Sequence, residues 1–123
     1  MTGEIILVVE DEGLIALHLI EILEKAGYRV VEPAYSGEMA IRALEKSPKP
    51  DLVLMDIGLA GSLDGIETAR QIRQRHNIPI IFLTAYSNET KIAEAKSISP
   101  YGYISKPCLE KDLLDAVESA LHR

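Results

Sequence analysis

The sequence predicts a doubly wound α/β domain: a parallel sheet with helices on both faces. Two observations carry that reading. Short apolar runs alternate with helix-like segments from one end of the chain to the other, and several of those runs are apolar at consecutive positions. A strand covered on both faces needs an unbroken run, whereas a half-exposed one would alternate with polar residues. Parallel strands joined by right-handed crossovers then place helices on either side of the sheet.

In order, the first strand is "EIILVV" (4–9), followed by a helix near 12–26 that Gly27 closes as a C′ residue. "YRVVEPA" (28–34) reads as the second strand. The helix near 37–47 ends at "SPKP" because proline bars further helix. "DLVLM" (51–55) is the third strand, with a helix near 64–76 after it. "IPIIFL" (78–83) and "YGYI" (101–104) read as the fourth and fifth strands, followed by helices near 87–97 and 109–121. The last helix shows its stripe most clearly: Leu113, Leu114, Val117 and Leu121 oppose Glu110, Lys111, Asp115 and Glu118. The first, third and fourth runs are the most apolar and are expected at the centre of the sheet.

The 123 residues suit one domain, and 47% hydrophobic with 26% charged residues describes an ordinary globular chain. No apolar stretch approaches a bilayer span, and "MTGE" lacks the form of a signal peptide, so a cytoplasmic protein without membrane contact is expected. The single cysteine, Cys108, excludes an internal disulfide and is read as a small buried hydrophobe. Net charge is 13 − 19 = −6 with no basic run, which argues against direct nucleic-acid binding. His18, His76 and His122 have no acidic partner at useful sequence spacing and are read as surface or core-edge residues.

One residue stands out against this frame. In "LVLMDIGL" (52–59), Asp56 follows four apolar residues, where a carboxylate loses hydration unless it gains partners. Ligand sites of doubly wound sheets lie beyond the carboxyl ends of the strands. There the sequence places "EDE" (Glu10, Asp11, Glu12) after the first strand, Asp56 after the third, Thr84 after the fourth, and Lys106 with Pro107 after the fifth. If strands one and three are neighbours, Glu10, Asp11 and Asp56 share a pocket. Crowded carboxylates raise one another's pKa or recruit a hard cation, magnesium being the usual one, and the Gly58 carbonyl offers a further oxygen. Acids, metal, hydroxyl and ammonium together suit phosphoryl transfer.

The set "LVVEDE", "LVLMDIGL", "LDGIETARQIR", "IIFLTAY" and "YGYISKP" resembles the receiver domain of two-component response regulators across essentially the whole chain. The resemblance implies a flavodoxin-like (βα)5 three-layer sandwich with strand order 2-1-3-4-5. It implies that 1–123 is a single receiver domain without an output domain. It assigns Asp56 as phosphoacceptor, Glu10 and Asp11 as the acidic pair, Thr84 as the switch hydroxyl, Tyr103 as the switch aromatic and Lys106 as the phosphate-pairing lysine. A cis Lys106–Pro107 peptide and a magnesium cofactor follow from it as well. So do a sensor histidine kinase or phosphotransfer protein as donor and a downstream protein or output domain as receiver of the signal. On this reading the chain catalyses its own phosphorylation and dephosphorylation without being a conventional turnover enzyme. The face of helix four, strand five and helix five is the expected output surface, and the oligomeric state is a monomer or a weak dimer through that face.

The chain departs from the family pattern in places. Glu10 stands where aspartate is frequent, "IGLAGSLDG" lacks a proline and is a residue longer, and Ser99-Pro100 replaces a common Gly-Ala. The glycines of that loop predict backbone freedom. Gly58 and Tyr86 occupy the two positions that tune water access to the phosphoryl group. A flavodoxin-like electron carrier is disfavoured because "EDE" would repel a cofactor phosphate. A haloacid-type phosphatase would need a second acid at Gly58. A pseudo-receiver that only binds proteins is the remaining alternative, set against the presence of acceptor, acids, hydroxyl and lysine together.

Overall fold

A computed structural model of the chain describes residues 3–85 and 89–122. Five parallel strands, β1 (Ile5–Val9), β2 (Arg29–Val30), β3 (Leu52–Asp56), β4 (Ile80–Thr84) and β5 (Gly102–Ser105), form one sheet in the order β2-β1-β3-β4-β5. The helices are α1 (Gly13–Lys25), α2 (Gly37–Leu44), α3 (Gly65–Arg75), α4 (Glu89–Ala95) and α5 (Glu110–Leu121). This is the doubly wound, flavodoxin-like (βα)5 architecture that the sequence leads one to expect. Every residue of β3 and β4 is buried, so the apolar runs do lie at the centre.

The period-two alternation of the strands divides the core into two layers. Ile6, Val8, Leu54 and Leu83 meet α1 and α5 through Leu19, Leu23, Leu113 and Val117. Leu7, Val9, Met55 and Phe82 face the other way, against Leu44 of α2, Ile66 and Ile72 of α3 and Ala95 of α4. Gly27, with φ of 100°, ends α1 in a left-handed conformation that glycine adopts without steric cost.

Among the departures from the sequence-based boundaries, three shorten an element the most. The second strand was expected over 28–34, but only Arg29 and Val30 are regular. Val31 still donates to the Ile6 carbonyl, whereas the Val8 carbonyl is reached by Ala34. Pro33 has no N–H to donate, so the ladder skips ahead and the edge strand stops. The second helix ends at Leu44, before "SPKP", and Ser47–Pro48 is cis, as is Lys106–Pro107. The fourth helix closes early into a tighter turn at Lys96–Ile98. Ser99 follows in the left-handed region at φ 55°, its carbonyl accepting from Arg73 Nη1 at 3.1 Å. Tyr86 lies outside the described residues.

Candidate functional site

The carboxyl edge of β1, β3, β4 and β5 collects the polar residues that the core cannot hold. β3 runs through Asp56, one residue further than the apolar run suggests, so Asp56 is pinned by ladder pairing with Leu83 and is 5% exposed. Glu10 is fully buried, held at the end of β1 by its N–H donating to the Ala34 carbonyl. Asp11 is exposed beside it.

Lys106 joins the acids. Its Nζ lies 3.0 Å from Glu10 Oε1 and 3.1 Å from Asp56 Oδ1, bridging β1 and β3 from the segment after β5. That segment is placed by the Lys106 N–H, which donates to the Thr84 carbonyl. Asp56 Oδ1 also accepts from the Gly58 N–H at 3.0 Å. Both contacts fall on Oδ1, and Oδ2 takes no protein hydrogen bond among the described residues. Burial, with Asp56 nearby, pushes the Glu10 carboxyl above its ordinary pKa against the opposing pull of Lys106. Burial also works against the Lys106 charge, but the Glu10 and Asp56 carboxylates outweigh it and raise the lysine pKa.

Carboxylate oxygens of Glu10, Asp11 and Asp56 lie within 4.8 Å of one another. The buried Glu10 Oε1 has the Lys106 ammonium, at 3.0 Å, as its polar neighbour. Three clustered carboxylates, one of them fully buried and offset only by Lys106, are an all-oxygen donor set that fits a hard divalent cation, and these residues could hold one.

Besides the Gly58 and Leu59 N–H groups, which donate to Asp56, the loop from Gly58 to Leu63, which its glycines mark as free, is tied at two points further on. The Ala60 N–H donates to Asp11 Oδ2 at 3.2 Å and Ser62 Oγ to Glu38 Oε2 at 2.9 Å. Asp64 then caps α3 by accepting from the Glu67 N–H at 2.8 Å. Gly65 opens that helix directly against the Asp56 backbone: a Cβ there would overlap the Asp56 carbonyl. Sequence reading treated this glycine as part of a loop. Its close approach to the third strand was not visible without the crossover geometry.

Thr84 is buried at the end of β4. Tyr103 pairs with Phe82 in the β4–β5 register, their rings stacked with centroids 6.2 Å apart, and it remains 38% exposed. Thr84 and Phe82 are two residues apart on one strand, so Thr84, Phe82 and Tyr103 share a sheet face. Two histidines read as partnerless do have acids in space. His76 Nε2 is 3.5 Å from Glu45 and His122 Nε2 is 3.3 Å from Glu4, pairings across elements that sequence spacing cannot show. Cys108 is half-buried against the α1 and α5 layer, its thiol pKa raised by burial.

Among the described residues no helix is long and apolar enough to cross a membrane. The family model for the response regulator receiver domain matches residues 6–118. The chain is 37% identical over 118 residues to the transcriptional regulatory protein PdtaR of Mycobacterium tuberculosis, covering 96% of this chain and 57% of that protein. It is 39% identical over 118 residues to the positive alginate biosynthesis regulatory protein of Pseudomonas aeruginosa, covering 94% and 46%. The chain thus spans about half the length of these curated relatives. Among solved structures, the signal receiver domain of a modulated diguanylate cyclase from Desulfovibrio desulfuricans superposes with a TM-score of 0.90 at 38% identity, covering 98% of this chain and 95% of that one. Matched along nearly its whole length by the family model and built on the same sheet as the solved receiver, the chain belongs to the response regulator receiver domain family.

Proposed function

We propose that this chain is a phosphorylation-driven switch in which Asp56 takes a phosphoryl group from a phosphohistidine. The observation that carries the reading is the bridge from Lys106 Nζ to Glu10 and Asp56 beside Asp11. In the transfer, a carboxylate oxygen of Asp56 forms a bond to phosphorus as the phosphorus–nitrogen bond breaks, and the imidazole leaves with the electron pair. Lys106 exchanges its carboxylate contact for the incoming phosphoryl oxygens and offsets their charge. Magnesium, held by Glu10, Asp11, Asp56 and the Gly58 carbonyl, would neutralise charge on the transferring oxygens.

Leu14, Leu17 and Leu109 are large, apolar and exposed. They lie at the starts of α1 and α5, which pack on the same sheet face and begin at the edge that holds Asp56. An apolar rim at that place supports docking of a histidine kinase or phosphotransfer protein. The direct test is magnesium-dependent phosphorylation by a small acyl phosphate, with the modified residue located by mass spectrometry. Absence of labelling under those conditions would favour the pseudo-receiver alternative.

The two acids of β1 are expected to contribute unequally to metal binding. Asp11 is exposed and can turn to the ion, whereas Glu10 is committed to Lys106. Asp11→Ala is expected to weaken magnesium binding by about tenfold or more and Glu10→Ala by less. Titration by calorimetry measures both, and a larger loss in the Glu10 variant would reverse the assignment.

The signal is read through β4 and β5. A phosphoryl oxygen that accepts from the Thr84 hydroxyl draws that side chain toward Asp56, opening the face on which Tyr103 rests. α4 is the mobile partner: it spans seven residues, and Ala95 is its one fully buried side chain among those described. Thr84→Ala is therefore expected to leave labelling of Asp56 largely intact while removing the phosphorylation-dependent change in amide exchange over 89–104. Identical exchange patterns in phosphorylated parent and variant would break the proposed link between Thr84 and Tyr103.

A further inference from the structure

At the opposite edge of the sheet from β5, a groove of about 440 Å³ runs between β2 and α2. Its size lies in the range of ligand-binding clefts. Val31, Met39 and Ala43 supply an apolar floor, and Arg29, Arg42 and Lys46 line it with positive charge against the single acid Glu32. In a chain of net charge −6 this is a local inversion of sign. Among the described residues none of the three cations forms an ion pair. Glu38, one turn before Arg42, feels its charge but accepts its side-chain hydrogen bond from Ser62 Oγ.

The edge of β2 is also open. Arg29 and Val31 donate their N–H groups to the Glu4 and Ile6 carbonyls of β1, at 2.9 and 3.2 Å. Alternate residues of a parallel ladder face alternate neighbours, so Val30 between them turns its N–H and carbonyl outward, where no strand follows. Backbone donors and acceptors beside an apolar floor and a basic rim are the three elements that recognise an extended peptide by strand addition.

We propose that this groove docks an extended, acidic segment of a partner protein, with apolar residues at alternate positions, pairing with the outer edge of β2. The occupant's charge follows from complementarity to Arg29, Arg42 and Lys46, and its extended form from the outward backbone of Val30. The groove shares no residue with the cluster around Asp56 and stands independently of the phosphorylation reading.

The test uses the whole chain and an acetylated, amidated heptapeptide that alternates glutamate with valine, followed by NMR chemical-shift titration. Shifts are expected at 29–34 and 39–48, with affinity falling as salt rises. The exposed-face double variant Arg42→Glu, Lys46→Glu is expected to bind about tenfold or more weakly while keeping its circular dichroism and its labelling at Asp56. A lysine–valine peptide should bind more weakly by a similar factor, as should a glutamate–valine peptide N-methylated at alternate residues, which loses its strand donors. Equal binding of the lysine peptide, no effect of the double variant, or shifts mapped elsewhere would each overturn the proposal. Equal binding of the N-methylated peptide would overturn strand pairing. Displacement of the peptide by inorganic phosphate at comparable concentration would make this a small-anion site instead. Peptide-free self-association that the double variant abolishes, seen by sedimentation, would make a second copy the occupant.

Discussion

Asp56→Asn is expected to reduce acyl-phosphate-dependent labelling by more than about a hundredfold, because an amide offers no anionic oxygen to attack phosphorus. The fold should survive the change. Lys106 keeps its ion pair with Glu10, and the strand pairing of residue 56 is a backbone matter. The Asp56 charge is one of the influences that raise the Glu10 pKa, so its removal relieves repulsion in the cluster. The metal-free variant should therefore unfold at the same denaturant concentration as the parent or a higher one. Chelation of divalent ions should stop labelling of the parent to a similar extent, because two further negative charges would otherwise enter a pocket already holding three acids. Intact-mass spectrometry measures both arms. Labelling of the Asn variant at the parent rate would place the acceptor elsewhere, and labelling in excess chelator would remove the metal from the mechanism.

Gly65→Ala is expected to destabilise the fold strongly. The new Cβ would meet the carbonyl oxygen and carbon of Asp56 and the Cα of Ile57, all backbone atoms of the central strand and its exit. A flexible side chain could swing away, but a strand paired on both sides cannot. Overpacking of this kind costs about 3 kcal/mol, and a domain of this size loses about 10 °C in melting temperature for it. Because the displaced atoms belong to residue 56, phosphorylation should slow as well, even in the fraction that stays folded. Gly13→Ala is the matched control. Nothing lies within 4 Å of its added Cβ, and alanine is the better helix former, so that variant should be neutral or slightly stabilising. Thermal unfolding of the two variants decides the matter: equal melting temperatures would mean that α3 can retreat from β3 without cost.

Much of this chain was legible before folding was considered. Consecutive apolar residues at 52–55 and 80–83 specify strands buried on both faces, and the stripe of Leu113, Val117 and Leu121 specifies a helix packed by one side. Such patterns are local: a period of two or of 3.6 is written in neighbouring residues, and burial follows from it. Gly27 is local in the same way, because a glycine just past an apolar helical stripe is the residue that most readily ends a helix in the left-handed conformation. Asp56 also stood out locally, as a carboxylate at the end of an apolar run.

What could be read only in three dimensions is non-local. Strand order decides which loops meet, and neither periodicity nor propensity encodes it; here the order 2-1-3-4-5 came through resemblance to a family. The sheet carries Lys106 to within 3.0 Å of Glu10, and crossover packing presses Gly65 on Asp56. The same holds for His76 beside Glu45 and His122 beside Glu4, which no spacing along the chain connects. The early end of β2 shows the two levels in conflict. Local propensity favoured a strand over 28–34, but a ladder needs an N–H at each inward position, and Pro33 had none to give.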